Sequence, residues 1–194
     1  MTAIQNTPHT DVLVEQDVVT HVNARRGLAA LRIGFGLTFL WAFFDKLLAL
    51  GYATGKNPET GVVDRFGPDA WIHDGNPTFG FLNFGVPQDN PFHDTFTSIA
   101  GDAWVNWLFM TGLLGIGLAL TFGVGIRIAA ISGAALYLMM WTASLPLENN
   151  PVIDDHLIGA VAVIVFGLTL AGDTWGLGKT WAKTQIVRRF PVLR

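Results

Sequence analysis

Residues 104–125 read WVNWLFMTGLLGIGLALTFGVG, without a single charge, and run directly into a second apolar stretch, residues 126–145, whose only charged residue is Arg127. About 20 predominantly apolar residues at ~1.5 Å per residue cross the ~30 Å hydrocarbon core of a bilayer, so each stretch is long enough to span one. Working outward, residues 27–50 and 152–172 repeat the pattern. The first carries Arg32, Asp45 and Lys46, and the second is free of charge from Leu157 to Gly172. Four such stretches predict an all-α integral membrane protein.

The composition agrees. Of the 194 residues, 51% are hydrophobic and 14% charged, with 14 Phe, 7 Trp and 22 Gly, whereas soluble domains carry about 25% charged residues. Mean hydropathy is +0.41. A formal net charge of -3 offers nucleic acid no basic face. Cysteine is absent, which excludes thiolate nucleophiles, Cys-ligated iron-sulfur clusters and haem attached through C-x-x-C-H. No haem b site is expected either, because His156 is the only axial candidate within a span.

Positive charge orients the chain. Arg25, Arg26, Arg127, Lys179, Lys183, Arg188, Arg189 and Arg194 fall on one side, against Lys56 and Arg65 on the other. The positive-inside rule therefore predicts a protein of the plasma membrane with both termini cytoplasmic. Residues 1–26 read as a mobile cytoplasmic tail, 27–177 as the membrane domain and 178–194 as a basic cytoplasmic tail. The apolar run at 27–50 is too long for a signal-peptide core of ~7–15 residues and reads as an uncleaved anchor.

Short connections at Gly123–Gly125 and Pro146–Pro151 predict antiparallel neighbours in an up-down four-helix bundle. Small residues give helices close approach in lipid. The candidates are Thr111, Gly115, Ala119 and Gly123 on the second span, Ala129 and Gly133 on the third, and Gly159, Gly167 and Ala171 on the fourth. The outer loop, 51–103, is too long for a simple connector. It is punctuated by Asn57-Pro58, Gly67-Pro68, Asn76-Pro77 and Asn90-Pro91, with enough aromatic residues to lie on the interface or to cover the bundle.

Ionisable groups inside spans are functional candidates by default. Snorkelling toward the two interfaces is the competing account for Lys46 and Arg32; the short side chain of Asp45 requires a partner or a wet pocket. At the start of the fourth span, Asn150 can cap and Pro151 suits the first helical turn, while capping has no use for His156. Because the first span runs outward and the fourth inward, Asp45 and His156 are expected to face each other near the outer surface, among Trp41, Trp104, Trp107 and Trp141. Carboxylates and an imidazole lined by rings suit the binding and deprotonation of a quinol-like head group. His73-Asp74 and His93-Asp94 recur in the loop, but nothing fixes their geometry and no metal is expected.

Residues 31–41 (LRIGFGLTFLW) with Asp45-Lys46, residues 76–82 (NPTFGFL), 123–127 (GVGIR) and 150–156 (NPVIDDH) together resemble the DoxX/DoxD family of small four-helix membrane proteins. The resemblance covers about residues 28–177 and rests on the order and spacing of these segments. It implies a membrane subunit of a thiosulfate:quinone oxidoreductase-type system, in which two thiosulfates are coupled to tetrathionate and a membrane quinone is reduced. The resemblance carries no catalytic residue list; the outer polar pocket supplies one, in which Asp45, Asp155 and His156 handle protons and Arg32, Trp41, Lys46, Trp141 and Glu148 contact the quinone. A partner subunit or a homo-oligomer is expected alongside membrane lipid. The rival reading is a non-catalytic membrane scaffold subunit of a respiratory or cell-envelope complex, without nucleic acid as a partner.

Overall fold

The computed structural model describes residues 13–194, and every regular element among them is helical; the β-type pairing among them is an isolated antiparallel bridge between Lys56 and Val63. Four long or apolar helices dominate: α2 (Val22–Leu48), α4 (Ala103–Phe122), α5 (Ile126–Ala143) and α6 (Asp155–Leu168), preceded by α1 (Glu15–Val18). Three of them, α2, α4 and α5, are long and apolar enough to cross a membrane. α6 has 14 residues, ~21 Å at 1.5 Å per residue, and falls short of a full crossing as a helix.

Both ends of α6 have identifiable causes. Asn150 does not cap it: its side-chain oxygen accepts from the amides of Val152 and Ile153, forming a turn ahead of the helix. Asp154 is the cap instead and accepts from Leu157 N at 2.9 Å. At the other end Thr169 closes the helix and Leu170 takes a left-handed conformation (φ 55°), where a continued helix is not possible. The expected span 152–172 is therefore shortened at both ends.

α2 packs on α4, α4 on α5 and α5 on α6, and α2 also touches α6. All four contribute to one buried cluster, including Phe39 and Phe43 of α2, Met110, Leu113 and Leu120 of α4, Ala129 and Ala134 of α5, and Val163 and Phe166 of α6. Several expected glycines are at close approach: a Cβ on Gly123 would meet Gly172 O at 2.6 Å, one on Gly159 the Tyr137 ring at 2.8 Å and one on Gly167 the Ala130 Cβ at 2.7 Å, whereas between α2 and α4 close approach falls on glycines outside the expected set. A Cβ on Gly36 would meet Thr121 Oγ1 at 2.5 Å, and one on Gly117 would meet Leu40 N at 3.0 Å, whereas one on Gly115 would meet nothing within 4 Å. The tight seam of α2 and α4 thus runs through Gly36 and Gly117. Thr111 and Gly115 face outward.

The expected tails are folded where described; residues 1–12 lie outside the described residues. Residues 13–26 hold α1 and the start of α2, with Glu15 buried. After α6 the chain forms α7 (Gly178–Ala182) and α8 (Gln185–Arg189), then a short 3-10 turn at Pro191–Leu193. This segment is pinned to the bundle where Leu177 N donates to Phe122 O (2.8 Å) and Arg127 N to Arg194 O (2.9 Å). We refer to this end of the molecule as the tail end and to the end carrying residues 51–102 as the loop end.

Candidate functional site

The loop end is built by asparagine-proline turns. In Asn57-Pro58, Asn76-Pro77, Asn90-Pro91 and Asn150-Pro151 the proline lacks an amide hydrogen, and each asparagine oxygen accepts from amides two or three residues onward. A 3-10 turn at Trp71–His73, a π-helical turn at Phe81–Gly85 and α3 (His93–Ser98) lie between these turns. Leu82, Val86 and Phe96 form a second buried cluster with Ala143 of α5.

Three buried polar side chains fasten the loop to the helices. Asn90 donates its amide to the carbonyls of Thr142, Ala143 and Leu145 (2.7–3.1 Å), which the end of α5 leaves without helical partners. Thr78 Oγ1 donates to Asn106 Oδ1 of α4 at 2.6 Å. Asp45 accepts from the amides of Tyr52 (3.2 Å) and Ala53 (2.8 Å), just beyond the left-handed Ala49 that ends α2.

Under this roof lies a cavity of about 910 Å³. Its walls are Leu108, Phe109, Gly112 and Ile116 of α4 and Leu136, Met139, Met140 and Ala143 of α5, closed above by Thr78, Phe79, Phe81 and Leu82. From Trp104 to Ile116 the lining follows α4 for ~18 Å. A Cβ on Gly112 would meet nothing within 4 Å, so this glycine borders open space. Leu108 and Met139, on the side between α4 and α5, are exposed, and so is Trp104. The few polar groups are at the loop end: Lys46, whose ammonium lies 5.9 Å from the centre of the Phe109 ring, with Thr54, Lys56, Asp69, Asn76 and Thr78. Lys46 forms no ion pair among the described residues.

The expected site residues do not converge. Of them, only Lys46 lines the cavity. Asp45 and His156 do not face each other through a bond: the Asp45 carboxylate is occupied by backbone amides, and His156 Nδ1 lies 2.7 Å from Asp154 Oδ2, with its ring 6.4 Å from that of Tyr137. The side chain of Asp155 is 92% exposed and Glu148 is exposed. Asp154, Asp155 and His156 offer ligand atoms within 4.8 Å of one another, yet Asp154 is already engaged as a helix cap. Trp41 packs edge-on against Tyr52, and Trp141 Nε1 donates to Val152 O; neither ring reaches the cavity. His73 and His93 each place Nδ1 against a nearby loop carbonyl, Gly67 and Pro87, and stand apart.

Arg32 is at the opposite end and does not snorkel. It is fully buried, and its guanidinium donates to the carbonyls of Leu120 and Thr121 at the end of α4 and to Thr174 and Trp175 beyond α6. Beside it, Thr174 Oγ1 donates to Glu15 Oε2 (2.5 Å), while Asp173 Oδ2 accepts from Glu15 N and from Arg194 Nη2, both at 2.9 Å. Burial pushes the Glu15 carboxyl above its ordinary range; Asp173 adds to the rise, and the Thr174 hydroxyl and Arg25 oppose it. This knot joins α2, the end of α4 and both flanking segments.

The chain matches no protein-family model, no curated protein and no solved structure. The residues that sequence reading missed are Asn106, Thr78, Asn90, Glu15 and Asp173. Asn106 carried a signal, as an amide inside an otherwise apolar span, and Asn90 carried one as the first residue of an Asn-Pro turn.

Proposed function

We propose that this chain is a multi-pass membrane protein that receives a quinone-like ring compound in its loop-end cavity, as a DoxX/DoxD-type subunit of a thiosulfate:quinone redox system. The observation that carries the reading is the cavity itself: apolar walls extending along α4 and α5, with the Lys46 ammonium beside the Phe109 ring and Lys56 at the same polar end. Its volume falls in the usual range for small-molecule sites, ~300–1,000 Å³.

The lining fits such a compound. Phe109, Leu136 and Met140 supply apolar contact, and Lys46 Nζ is a donor for a ring oxygen. A bound quinone would supply the electron-accepting group, which a chain without cysteine does not carry on its own thiols. Asp69 is the carboxylate of the lining and can hold a proton at the polar end. This replaces Asp45, Asp155 and His156 in that role.

The reading is completed by four crossings, with α6 and its flanking turns as the fourth, the loop end outside and the tail end in the cytoplasm. Its support is the positive charge gathered at residues 179–194 and at Arg25, Arg26 and Arg127. Cysteines introduced by Thr54→Cys and Gln88→Cys should be labelled from outside intact cells, and one introduced by Thr184→Cys should not. Labelling at Thr184→Cys alone reverses the orientation.

The functional test is to purify the protein in mild detergent, extract it for quinone and supply thiosulfate with a short-chain quinone. Bound quinone and thiosulfate-driven reduction support the reading. A co-purifying partner with neither quinone nor activity makes the chain a membrane scaffold subunit instead.

A further inference from the structure

After α6 the chain does not leave the bundle. Leu177 N is bonded to the last residue of α4, and Arg127, the second residue of α5, donates its side chain to Pro191 O at 3.1 Å and its amide to Arg194 O. The segment between these ties is therefore held at the depth where two candidate spans end. Along it, Lys179, Lys183, Arg188 and Arg189 are exposed, and so are Leu177, Ile186, Phe190 and Val192, with exposed Trp175 two residues ahead of the first tie. The acids nearby are withdrawn from the surface: Asp173 is buried against Arg194, and Glu15 is buried against Thr174. Asp17 is the exposed acid of the adjoining α1 segment, and its carboxylate accepts from Val14 N at 2.9 Å.

Aromatic and aliphatic side chains interleaved with cations, fixed at the ends of spans, match the interface of a bilayer carrying negative headgroups. We propose that the tail end is a binding surface for anionic phospholipid, with Lys179, Lys183, Arg188 and Arg189 holding headgroup phosphates and Trp175 and Phe190 seated at the acyl boundary. The inference rests on the membrane reading but is independent of the quinone. A folded segment presents its cations without first being ordered, so the attraction is not offset by loss of chain entropy.

Each Lys or Arg near such a surface strengthens attraction about fivefold. The test compares the protein in nanodiscs of phosphatidylcholine alone with nanodiscs containing a minor fraction of phosphatidylglycerol, reading thermal unfolding, and uses native mass spectrometry to compare retention of the two lipids. Phosphatidylglycerol should raise the unfolding midpoint and be retained preferentially, and high salt should weaken both effects. Combining Lys179→Gln, Lys183→Gln, Arg188→Gln and Arg189→Gln should abolish them, the single variants should each weaken them, and Arg65→Gln at the loop end should leave them intact. Equal midpoints and equal retention of the two lipids by the unmodified protein overturn the proposal, whatever the folding of the combined variant. So does an unchanged preference in the four single variants.

Discussion

Asp45 and Lys46 are consecutive residues of α2 with opposite surroundings: the carboxylate is sealed against the amides of Tyr52 and Ala53, and the ammonium lines the cavity over the Phe109 ring. One residue of an α-helix turns the side chain by ~100°, enough to place neighbours on different faces. Asp45 fastens the roof, and Lys46 faces what the roof covers.

Removing the Asp45 carboxylate leaves two loop amides without an acceptor. Asp45→Ala should cost about 1–3 kcal/mol in detergent stability, and Asp45→Asn, which keeps one acceptor oxygen, should cost less. Because His156 has other partners, Asp45→Ala and His156→Ala should be additive to within ~0.5 kcal/mol in a double-mutant cycle read by thermal unfolding. A larger coupling would mean that the two residues interact.

Helix spacing is tested by contrasting glycines. Gly36→Val and Gly117→Val press side chains into Thr121 and Leu40 and should lose more than about 2 kcal/mol or fail to accumulate, as overpacked cores do. Gly115→Ala meets open space and should change stability by less than about 0.5 kcal/mol. Reversal of that order would displace the seam of α2 and α4.

Docking of residues 13–19 should depend on pH through Glu15. Its folded pKa is raised, chiefly by burial, so the folded state binds a proton more tightly than the unfolded chain. The corresponding stability is fully present below the ordinary glutamate value and is lost as pH rises through the raised one. Hydrogen exchange of the Val19 amide, bonded to Glu15 O at 2.7 Å, should show stronger protection on the acidic side of that window after correction for intrinsic rates. Glu15→Gln should hold the protected state and remove the pH dependence. Protection that instead rises with pH contradicts the assignment.

The helices were legible because a membrane segment states itself in composition: residues 104–125 contain α4, and 126–145 contain α5, to within a few residues. Where caps decide a boundary, side-chain choice in space mattered more; Asn150 formed its own turn, and the start of α6 passed to Asp154. Of the cavity lining, Lys46 and Trp104 were legible. Its roof depends on Asn90 and Thr78 reaching α5 and α4 over long separations in sequence, and no local pattern announces such contacts. Arg32 and Glu15 were misplaced for a related reason. Snorkelling and free tails assume lipid or water as the alternative to burial, whereas the bundle supplies backbone carbonyls and a threonine hydroxyl at the tail end.

The occupancy of the loop-end cavity is best tested by titrating the purified protein with a short-chain quinone and following quenching of tryptophan fluorescence, in the native sequence and in Gly112→Phe and Lys46→Met. Gly112→Phe fills open space beside the walls, and Lys46→Met keeps the stem while removing the donor. The account predicts saturable binding that Gly112→Phe abolishes and that Lys46→Met weakens about ten- to a hundredfold, the equivalent of losing a hydrogen bond from a charged group worth ~1.5–3 kcal/mol. Lys46→Arg should restore most of it. Saturable binding of equal strength in all four proteins, each with its native unfolding midpoint, would place the quinone elsewhere and contradict the account.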